Sequence, residues 1–193
     1  INVYIGVDIA ATATEKSDFQ VIMVIGVDSN KNRYVLEYFR ERIPTFDLPK
    51  EIIRISRKYS PVRRVTIETV AAQEMVRDMV TRMASEDRRL IPGIFKGVKP
   101  PSGIKKADRL ETSLGPIVNS KKLYIRREMT ELVDEMFEHP VPRNDDLMDG
   151  LYYADYYSKA PLSSAISVTD MKSGKKGGSK IKGYYNWMTG ARR

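Results

Sequence analysis

The feature that most constrains the fold of this chain is a run of apolar residues, FQVIMVIGVD, at positions 19–28. Its length and its Val and Ile content predict a β-strand that is buried on both faces. INVYIGVD (1–8) precedes it, and RYVLEYFRER (33–42) follows it after the turn-like SNKN (29–32). Because short links join these three predicted strands, an antiparallel meander is the simplest arrangement.

A regular alternation of helices and strands follows the meander. The predicted elements are a helix at 47–60, a strand at 63–70, a helix at 73–84, a strand at 89–96, a loop at 99–103, a helix at 105–118, a strand at 121–126, a helix at 128–139 and a last helix that begins near 144. This order predicts an α/β fold in which helices flank a central mixed sheet, with three antiparallel strands and further parallel strands.

The distribution of charge divides the chain in two. The 193 residues carry a formal net charge of +8. From Pro161 onward there are seven basic residues against Asp170, so this tail holds +6 of that charge. We therefore predict one folded domain at 1–160 and a basic C-terminal tail, rich in Gly, Ser and Lys, at 161–193.

The composition excludes several kinds of site. The chain has no cysteine and one histidine, His139, which excludes thiolate zinc sites and leaves little scope for serine–histidine chemistry. A bound metal would therefore have mostly carboxylate ligands, which favours Mg²⁺ or Mn²⁺. No apolar run approaches the roughly 18 residues of a membrane span, and no secretory signal is present, so no membrane partner is expected.

Two acidic residues follow strands that are predicted to be central in the sheet. Asp8 ends the first strand, and Glu68 lies at the end of VTI in the strand after the first helix. A carboxylate beside the centre of a sheet is costly to desolvate unless a cation or a hydrogen-bond donor meets it. Each has an alternative interpretation, since Asp8 could cap a turn and Glu68 could be exposed at the strand end.

Three aspartates crowd the start of the last predicted helix. Asp145, Asp146 and Asp149 belong to RNDDLMDGLYYADYY (143–157). Asn144 or Asp145 would serve as an N-cap, and acidic residues in a first turn favour the helix dipole, so a solvated acidic end is one interpretation. The other is a metal site, because a divalent cation would relieve the repulsion between carboxylates within one turn.

Taken together, these acids suggest one site. A strand-end Asp, a strand-end Glu and a helix-start Asp, in this order, are typical of metal-dependent phosphodiester cleavage. That chemistry uses carboxylates because two hard cations, about 3.5–4 Å apart, must be held at the scissile phosphate.

Four segments resemble one family. They are GVDIA with SDF downstream (6–10 and 17–19), TIETV (66–70), KKADRLETSLGPIVNSKKLYI (105–125) and NDDLMDGLYYA (144–154). In this order they resemble the nuclease domain of the large terminase subunit of tailed bacteriophages, a ribonuclease H-like domain related to RuvC-type resolvases. The resemblance runs from about residue 3 to residue 158.

The resemblance implies the roles of particular residues. Asp8, Glu68 and Asp146 would be the principal metal ligands and catalytic residues, and Asp145 and Asp149 would assist or replace Asp146. The cofactor would be Mg²⁺ or Mn²⁺, as two ions. Asn144 stands where many relatives carry a histidine, which puts a histidine-assisted step in doubt. Gly150 replaces the usual alanine, and we expect it only to loosen the helix.

The resemblance also implies a biological role. The enzyme would be an endonuclease that cuts concatemeric double-stranded viral DNA during packaging, in the host bacterial cytoplasm at the procapsid. Its expected partners are the DNA, an ATPase domain of the same polypeptide, the small terminase subunit and the portal. No Gly-x-x-x-x-Gly-Lys-Ser/Thr loop occurs here, and the first residue is Ile1, so we expect a C-terminal piece of a larger protein.

Basic residues surround a Pro/Gly loop that could contact DNA. They are Lys96, Lys99, Lys105, Lys106 and Arg109, in KGVKPPSGIKKADR (96–109). Contacts to phosphates would hold a duplex without reading its sequence, although a solvated lysine-rich loop is the alternative. A second candidate surface comprises Lys121, Lys122, Arg126 and Arg127. In the tail, Tyr184, Tyr185 and Trp187 could dock on a partner, or the tail could have no role.

Three other functions compete with the terminase-type nuclease. A RuvC-like junction resolvase would be a dimer and would prefer branched DNA junctions, which the sequence does not reveal. A DNA-gripping and portal-docking module would have little nuclease activity of its own. A phosphotransferase of the actin/hexokinase kind is disfavoured, because the Gly-rich phosphate loops expected of it are missing from the sequence.

Overall fold

The computed structural model describes residues 1–10, 19–69, 73–142 and 145–162, and the backbone of 185–186 and 191–192. The predicted meander is present. β1 (Asn2–Asp8) pairs antiparallel with β2 (Gln20–Val27), which pairs antiparallel with β3 (Arg33–Glu41). Every residue of β2 is buried, as its uninterrupted apolar sequence predicts.

Three parallel pairings extend the meander into a six-stranded mixed sheet. β4 (Val62–Glu68) lies beside β1, β5 (Phe95–Val98) lies beside β4, and the short β6 (Leu123–Tyr124) lies beside β3. The strand order is β5-β4-β1-β2-β3-β6. The helices are α1 (Leu48–Lys58), α2 (Gln73–Ser85), α3 (Lys106–Asn119), α4 (Thr130–Glu138) and α5 (Asp146–Tyr156). The predicted α/β fold with a central mixed sheet is confirmed.

One predicted strand begins later than its sequence pattern indicates. We predicted a strand at 89–96, but Pro92–Ile94 form a 3-10 turn and β5 begins at Phe95. The Pro-Gly pair at 92–93 explains the shift, because proline lacks the N–H that a strand donates and Pro-Gly favours a turn.

The helices form two layers because alternate strand residues point to opposite faces. On one face, Ile5, Val7 and Ile22 pack with the apolar residues of α1 and α2. On the other, Val21 and Met23 pack with α3, α4 and α5. The sheet is therefore buried on both sides, and the even-numbered residues of β1, which include Asp8, face α5.

Helix α5 lies unusually close to the sheet, at two glycines. A Cβ atom added to Gly6 of β1 would come within 2.2 Å of the Gly150 carbonyl oxygen and 2.1 Å of the Ala154 nitrogen. A Cβ added to Gly150 would come within 2.7 Å of Val21. The expectation that Gly150 only loosens the helix was therefore incomplete, because the missing side chain also lets α5 reach β2.

The tail was predicted as a separate basic segment, and most of it lies outside the described residues. Within it, the backbone of Tyr185–Asn186 pairs antiparallel with Ala191–Arg192. Tyr184 and Trp187, which we named as docking residues, lie outside the described part. In the described ranges, no helix is long and apolar enough to cross a bilayer.

The contact at Gly6 predicts a large effect of one methyl group. Gly6→Ala would push backbone against backbone, so we expect the free energy of unfolding in urea to fall by roughly 3 kcal/mol, the upper end of the usual cost of overpacking. Gly93→Ala is the matched control, because nothing lies within 4 Å of a Cβ atom there. Equal stabilities of the two variants would show that α5 does not depend on this contact.

Candidate active site

The register of the sheet brings Asp8 and Glu68 together. Val7 of β1 pairs with Ile67 of β4 in the parallel ladder, and the two acids follow at the carboxyl ends of these strands. Asp8 and Glu68 lie within hydrogen-bonding reach of each other. The two strand-end carboxylates predicted from the sequence are thus neighbours at the centre of the sheet.

Helix α5 adds further carboxylates to this position. Asp149 precedes Gly150, the residue that packs on β2, and only 3% of its surface is exposed. Its charge acts directly on Asp8. Asp146, one turn earlier, reaches the same pocket. A solvated acidic helix end is therefore excluded for Asp149.

These groups line an open pocket of about 420 Å³. Its charged residues are Asp8, Glu68, Asp146, Asp149, Lys106 and Arg109. The remaining lining residues are Ile9, Ala10, Phe19, Pro100, Pro101 and Ile104. Four acidic and two basic side chains would give the lining a formal charge of −2 if all were ionised, and a bound cation would balance that charge.

Burial raises the pKa of two acids in the pocket, Asp8 and Asp149. Burial, then the hydrogen bond to Glu68 and the negative charge of Asp149, raise the pKa of Asp8 well above its usual range. Burial also raises the pKa of Asp149, although the positive charges of Lys106 and Arg109 oppose this. Carboxylates arranged in this way become more stable as anions when a further cation arrives.

Two basic residues of α3 hold Asp149. The Arg109 guanidinium donates from Nη2 to Asp149 Oδ1 at 2.6 Å. The Lys106 ammonium forms an ion pair with Asp149 Oδ2 and donates to Asp145 Oδ1 at 2.7 Å. Burial lowers the pKa of Lys106, but the charge of Asp149 and the hydrogen bonds to both aspartates outweigh it and raise that pKa overall.

A buried glutamate of α4 caps the helix that carries the aspartates. Glu135 Oε2 accepts hydrogen bonds from the backbone N–H groups of Leu147 and Met148, at 3.0 and 3.1 Å. Asp145 occupies the N-cap position but makes no side-chain capping bond, contrary to its predicted capping role. Burial raises the pKa of Glu135 to about 7, against the lowering effect of these N–H donors and of Arg40.

Arg40 of β3 joins this cap to the pocket. Its Nη2 atom lies 3.8 Å from Glu135 and 3.6 Å from Asp146, and its guanidinium stacks 4.0 Å above the centre of the Phe19 ring. Arg40 therefore balances the charges of two acids at the start of α5. The sequence indicated neither Arg40 nor Glu135, because both are distant from the acidic motif and carry no motif of their own.

Tyr153 is a third residue that the sequence did not single out. It follows Asp149 by one helical turn, is fully buried, and its hydroxyl faces Glu68. Burial, and then the charge of Glu68, raise the pKa of this phenol. The i, i+4 spacing from Asp149 was the available signal, but a tyrosine there is equally typical of a core residue.

The predicted DNA-contacting residues divide into two groups. Lys106 and Arg109 lie inside the pocket, whereas Lys96, Lys99 and Lys105 are exposed. Lys99 and Lys105 flank the loop whose Pro100 and Ile104 line the pocket mouth. In the second predicted surface, Arg126 donates to the Leu36 carbonyl oxygen at 2.5 Å, so that side chain supports β3.

The donor set fits hard divalent cations. The pocket offers four carboxylates from three separate elements, and oxygen ligands of this kind are the ones that such cations prefer. Within the described ranges, no three of these side chains are already arranged around one ion position. Lys106 and Arg109 currently neutralise Asp149, so a metal would compete with them.

The cap on α5 predicts a specific loss of stability. Glu135→Ala would leave two buried N–H groups without an acceptor and remove one of the acidic partners of Arg40, so we expect the free energy of unfolding to fall by about 3 kcal/mol. Asp134→Ala, at an exposed position of the same helix, should change it by less than about 0.5 kcal/mol. Equal urea midpoints for both variants would contradict the capping role.

Comparison with protein-family models and with curated proteins gave no match. Comparison with solved structures shows the fold. The large terminase nuclease from thermophilic phage G20c is 15% identical, with a TM-score of 0.57 over 82% of this chain and 83% of that chain. The same nuclease with bound zinc gives 16% identity and a TM-score of 0.59 over 82% of each chain.

Two resolvases share this architecture. The yeast mitochondrial Holliday junction resolvase Ydc2 is 12% identical, with a TM-score of 0.52 over 78% of this chain and 75% of that one. The Fowlpox virus resolvase, solved with its substrate Holliday junction DNA, is 10% identical, with a TM-score of 0.51 over 79% and 96%. The likeness to the terminase nuclease and to the resolvases confirms the predicted ribonuclease H-like fold.

Proposed function

We propose that this chain is a divalent-metal-dependent endonuclease that hydrolyses phosphodiester bonds in DNA. The observation that carries the proposal is the meeting of Asp8, Glu68 and Asp149, from two strands and one helix, in one open pocket. Acids on a protein surface repel one another and usually stay apart, whereas here the buried Asp149 lies beside the partly buried Asp8 and Glu68, and the pKa of Asp8 is raised. Such an arrangement is costly unless a cation is used there.

The contacts favour Asp149 over Asp146 as the third metal ligand. The charge of Asp149 acts on Asp8 directly, and its carboxylate is almost fully buried. Asp146 interacts with Arg40 at the pocket rim, and Asp145 with Lys106. We therefore propose Asp8, Glu68 and Asp149 as the principal ligands of Mg²⁺ or Mn²⁺, with Asp146 as an assisting group; the assignment of Asp146 as principal ligand stays a prediction.

The remaining residues have supporting roles. When bound, a pair of hard cations lowers the pKa of an attacking water and neutralises charge on the leaving oxygen. Arg109 orients Asp149 by a short charge-assisted hydrogen bond, and the Tyr153 hydroxyl faces Glu68 from the buried side of the pocket. The loop that contains Pro100, Pro101 and Ile104 contributes apolar side chains to the pocket lining.

The substrate that best fits the similarities is double-stranded viral DNA. The sequence segments and the fold are similar to those of a terminase nuclease, so we propose cleavage of concatemeric DNA during packaging. The partners in that role would be an ATPase domain of the same polypeptide, the small subunit and the portal. A junction resolvase is the second candidate, because two resolvases share the fold with TM-scores above 0.5.

Plasmid cleavage tests the proposed site. The chain should nick and linearise supercoiled plasmid with Mn²⁺ or Mg²⁺ and be inactive in EDTA. Asp8→Asn and Asp149→Asn should each lower the rate by at least about 100-fold, since each removes a ligand charge from the reacting centre, while Asp146→Asn should lower it less. Asp78→Asn, on the exposed surface of α2, is the matched control and should cleave at the wild-type rate.

The outcomes of this assay separate the candidate functions. Cleavage that survives Asp8→Asn and Asp149→Asn would contradict the assigned site. A rate on a four-way junction far above that on linear duplex would favour the resolvase. No cleavage with either metal would favour a DNA-gripping module without nuclease activity.

The exposed lysines at the pocket mouth should hold the DNA backbone. In EDTA, the double substitution Lys99→Ala and Lys105→Ala should weaken binding to a 30-base-pair duplex and reduce the slope of log affinity against log salt by about 2, or roughly one per phosphate contact. Lys50→Ala is the control, because this exposed lysine lies on α1, across the sheet. Fluorescence anisotropy at several salt concentrations measures both quantities, and an unchanged slope would contradict the contact.

A further inference from the structure

Lys106 stands at a position where a lysine is electrostatically unfavourable. It is the first residue of α3, and the N-terminal end of a helix carries partial positive charge. Its ammonium nevertheless points into the pocket, where it pairs with Asp149 and donates to Asp145. The attraction of these two carboxylates therefore outweighs the helix dipole.

Asp149 is held by two cations of different character. Arg109 is almost buried, with 10% of its side chain exposed, and its guanidinium lies 4.8 Å from the centre of the Tyr152 ring. The Lys106 side chain is 39% exposed. Arg109 is thus fixed by packing, whereas the Lys106 ammonium ends a flexible four-carbon chain that borders solvent.

Each oxygen of Asp149 has its own cation. Arg109 contacts Oδ1 and Lys106 contacts Oδ2. Asp8 and Glu68 lie in the same pocket, and the Lys106 charge acts on Asp8 as well. Among the described residues that line the pocket, the Lys106 ammonium is therefore the positive charge that can move. It contacts Asp149 Oδ2, an oxygen that a divalent cation would need as a ligand.

We propose that Lys106 is a built-in counter-ion, which neutralises Asp149 in the metal-free chain and is displaced by the divalent cation. This inference rests on the proposed metal-dependent function and concerns its regulation. Without the ammonium, Asp149 would be a buried carboxylate beside two others and would destabilise the fold. With it, the site is stable before metal arrives, at the expense of weaker metal binding.

The displaced ammonium would stay at the mouth of the pocket. Residues 99–105, immediately before Lys106, form the loop that lines this mouth through Pro100, Pro101 and Ile104. A lysine that turns out of the pocket would join Lys99 and Lys105, where we propose that DNA phosphates lie. A phosphate would then hold the ammonium away from Asp149, so DNA and metal should each strengthen binding of the other.

Calorimetric titration of Mn²⁺ into the whole chain, without DNA, tests this displacement. Lys106→Met removes the competing charge and should bind Mn²⁺ about tenfold more tightly than the wild type, a factor typical of coupled sites. Lys105→Met removes the same charge from the exposed neighbouring residue, and its Mn²⁺ affinity should stay within about twofold of the wild type.

Thermal unfolding adds a readout that does not depend on activity. Lys106→Met should unfold at a lower temperature than the wild type without metal, and saturating Mn²⁺ should raise its midpoint by more than it raises that of the wild type. Lys106→Gln, which keeps a polar side chain of similar length, should show the same tighter Mn²⁺ binding if Lys106→Met folds poorly.

The outcomes distinguish the inference from the proposed function. If Asp8→Asn abolishes Mn²⁺ binding but Lys106→Met and Lys106→Gln bind no more tightly than Lys105→Met, the counter-ion role is wrong and the metal site stands. If no variant binds Mn²⁺, or if Asp8→Asn binds it as well as the wild type, the proposed metal site is wrong and the inference is overturned with it.

Discussion

The close approach of α5 to the sheet determines where the chemistry of this protein can lie. Gly6 and Gly150 allow the helix backbone to rest against β1 and β2. Since Asp149 precedes Gly150 and Asp8 follows Gly6 by two residues on the same face of β1, this contact brings the two carboxylates together. Glu68 joins them through the parallel pairing of β1 with β4. A methyl group at either glycine would separate the helix from the strands.

These neighbouring carboxylates, of which Asp149 is buried and Asp8 and Glu68 are partly buried, would repel one another, and other parts of the fold offset that repulsion. α3 contributes Lys106 and Arg109 to Asp149, and β3 contributes Arg40 to the start of α5. The N–H groups in the first turn of α5 are satisfied by Glu135 of α4. α3, α4 and β3 therefore all stabilise the start of α5. Such support is consistent with a site whose geometry must be kept within narrow limits.

Much of this was predictable from the sequence. The uninterrupted apolar run of β2 predicted a sheet covered on both faces, and acids at strand ends predicted where charged groups would gather. The sequence does not show which of Asp146 and Asp149 lies deeper in the pocket, because this depends on the rotation of α5 about its axis, and Gly150 packs on Val21 in that position. Glu135 and Arg40 were missed, since their roles arise from contacts between elements that are distant in sequence.

Location of bound metal by X-ray diffraction tests the central claim most directly. Crystals soaked in Mn²⁺ and measured at the manganese absorption edge should show anomalous density between the carboxylates of Asp8, Glu68 and Asp149, with the Lys106 ammonium turned away from Asp149. Density at another place on the chain, or none at saturating Mn²⁺, would contradict the account. Density coordinated by Asp146 but not by Asp149 would contradict the assignment of the third ligand.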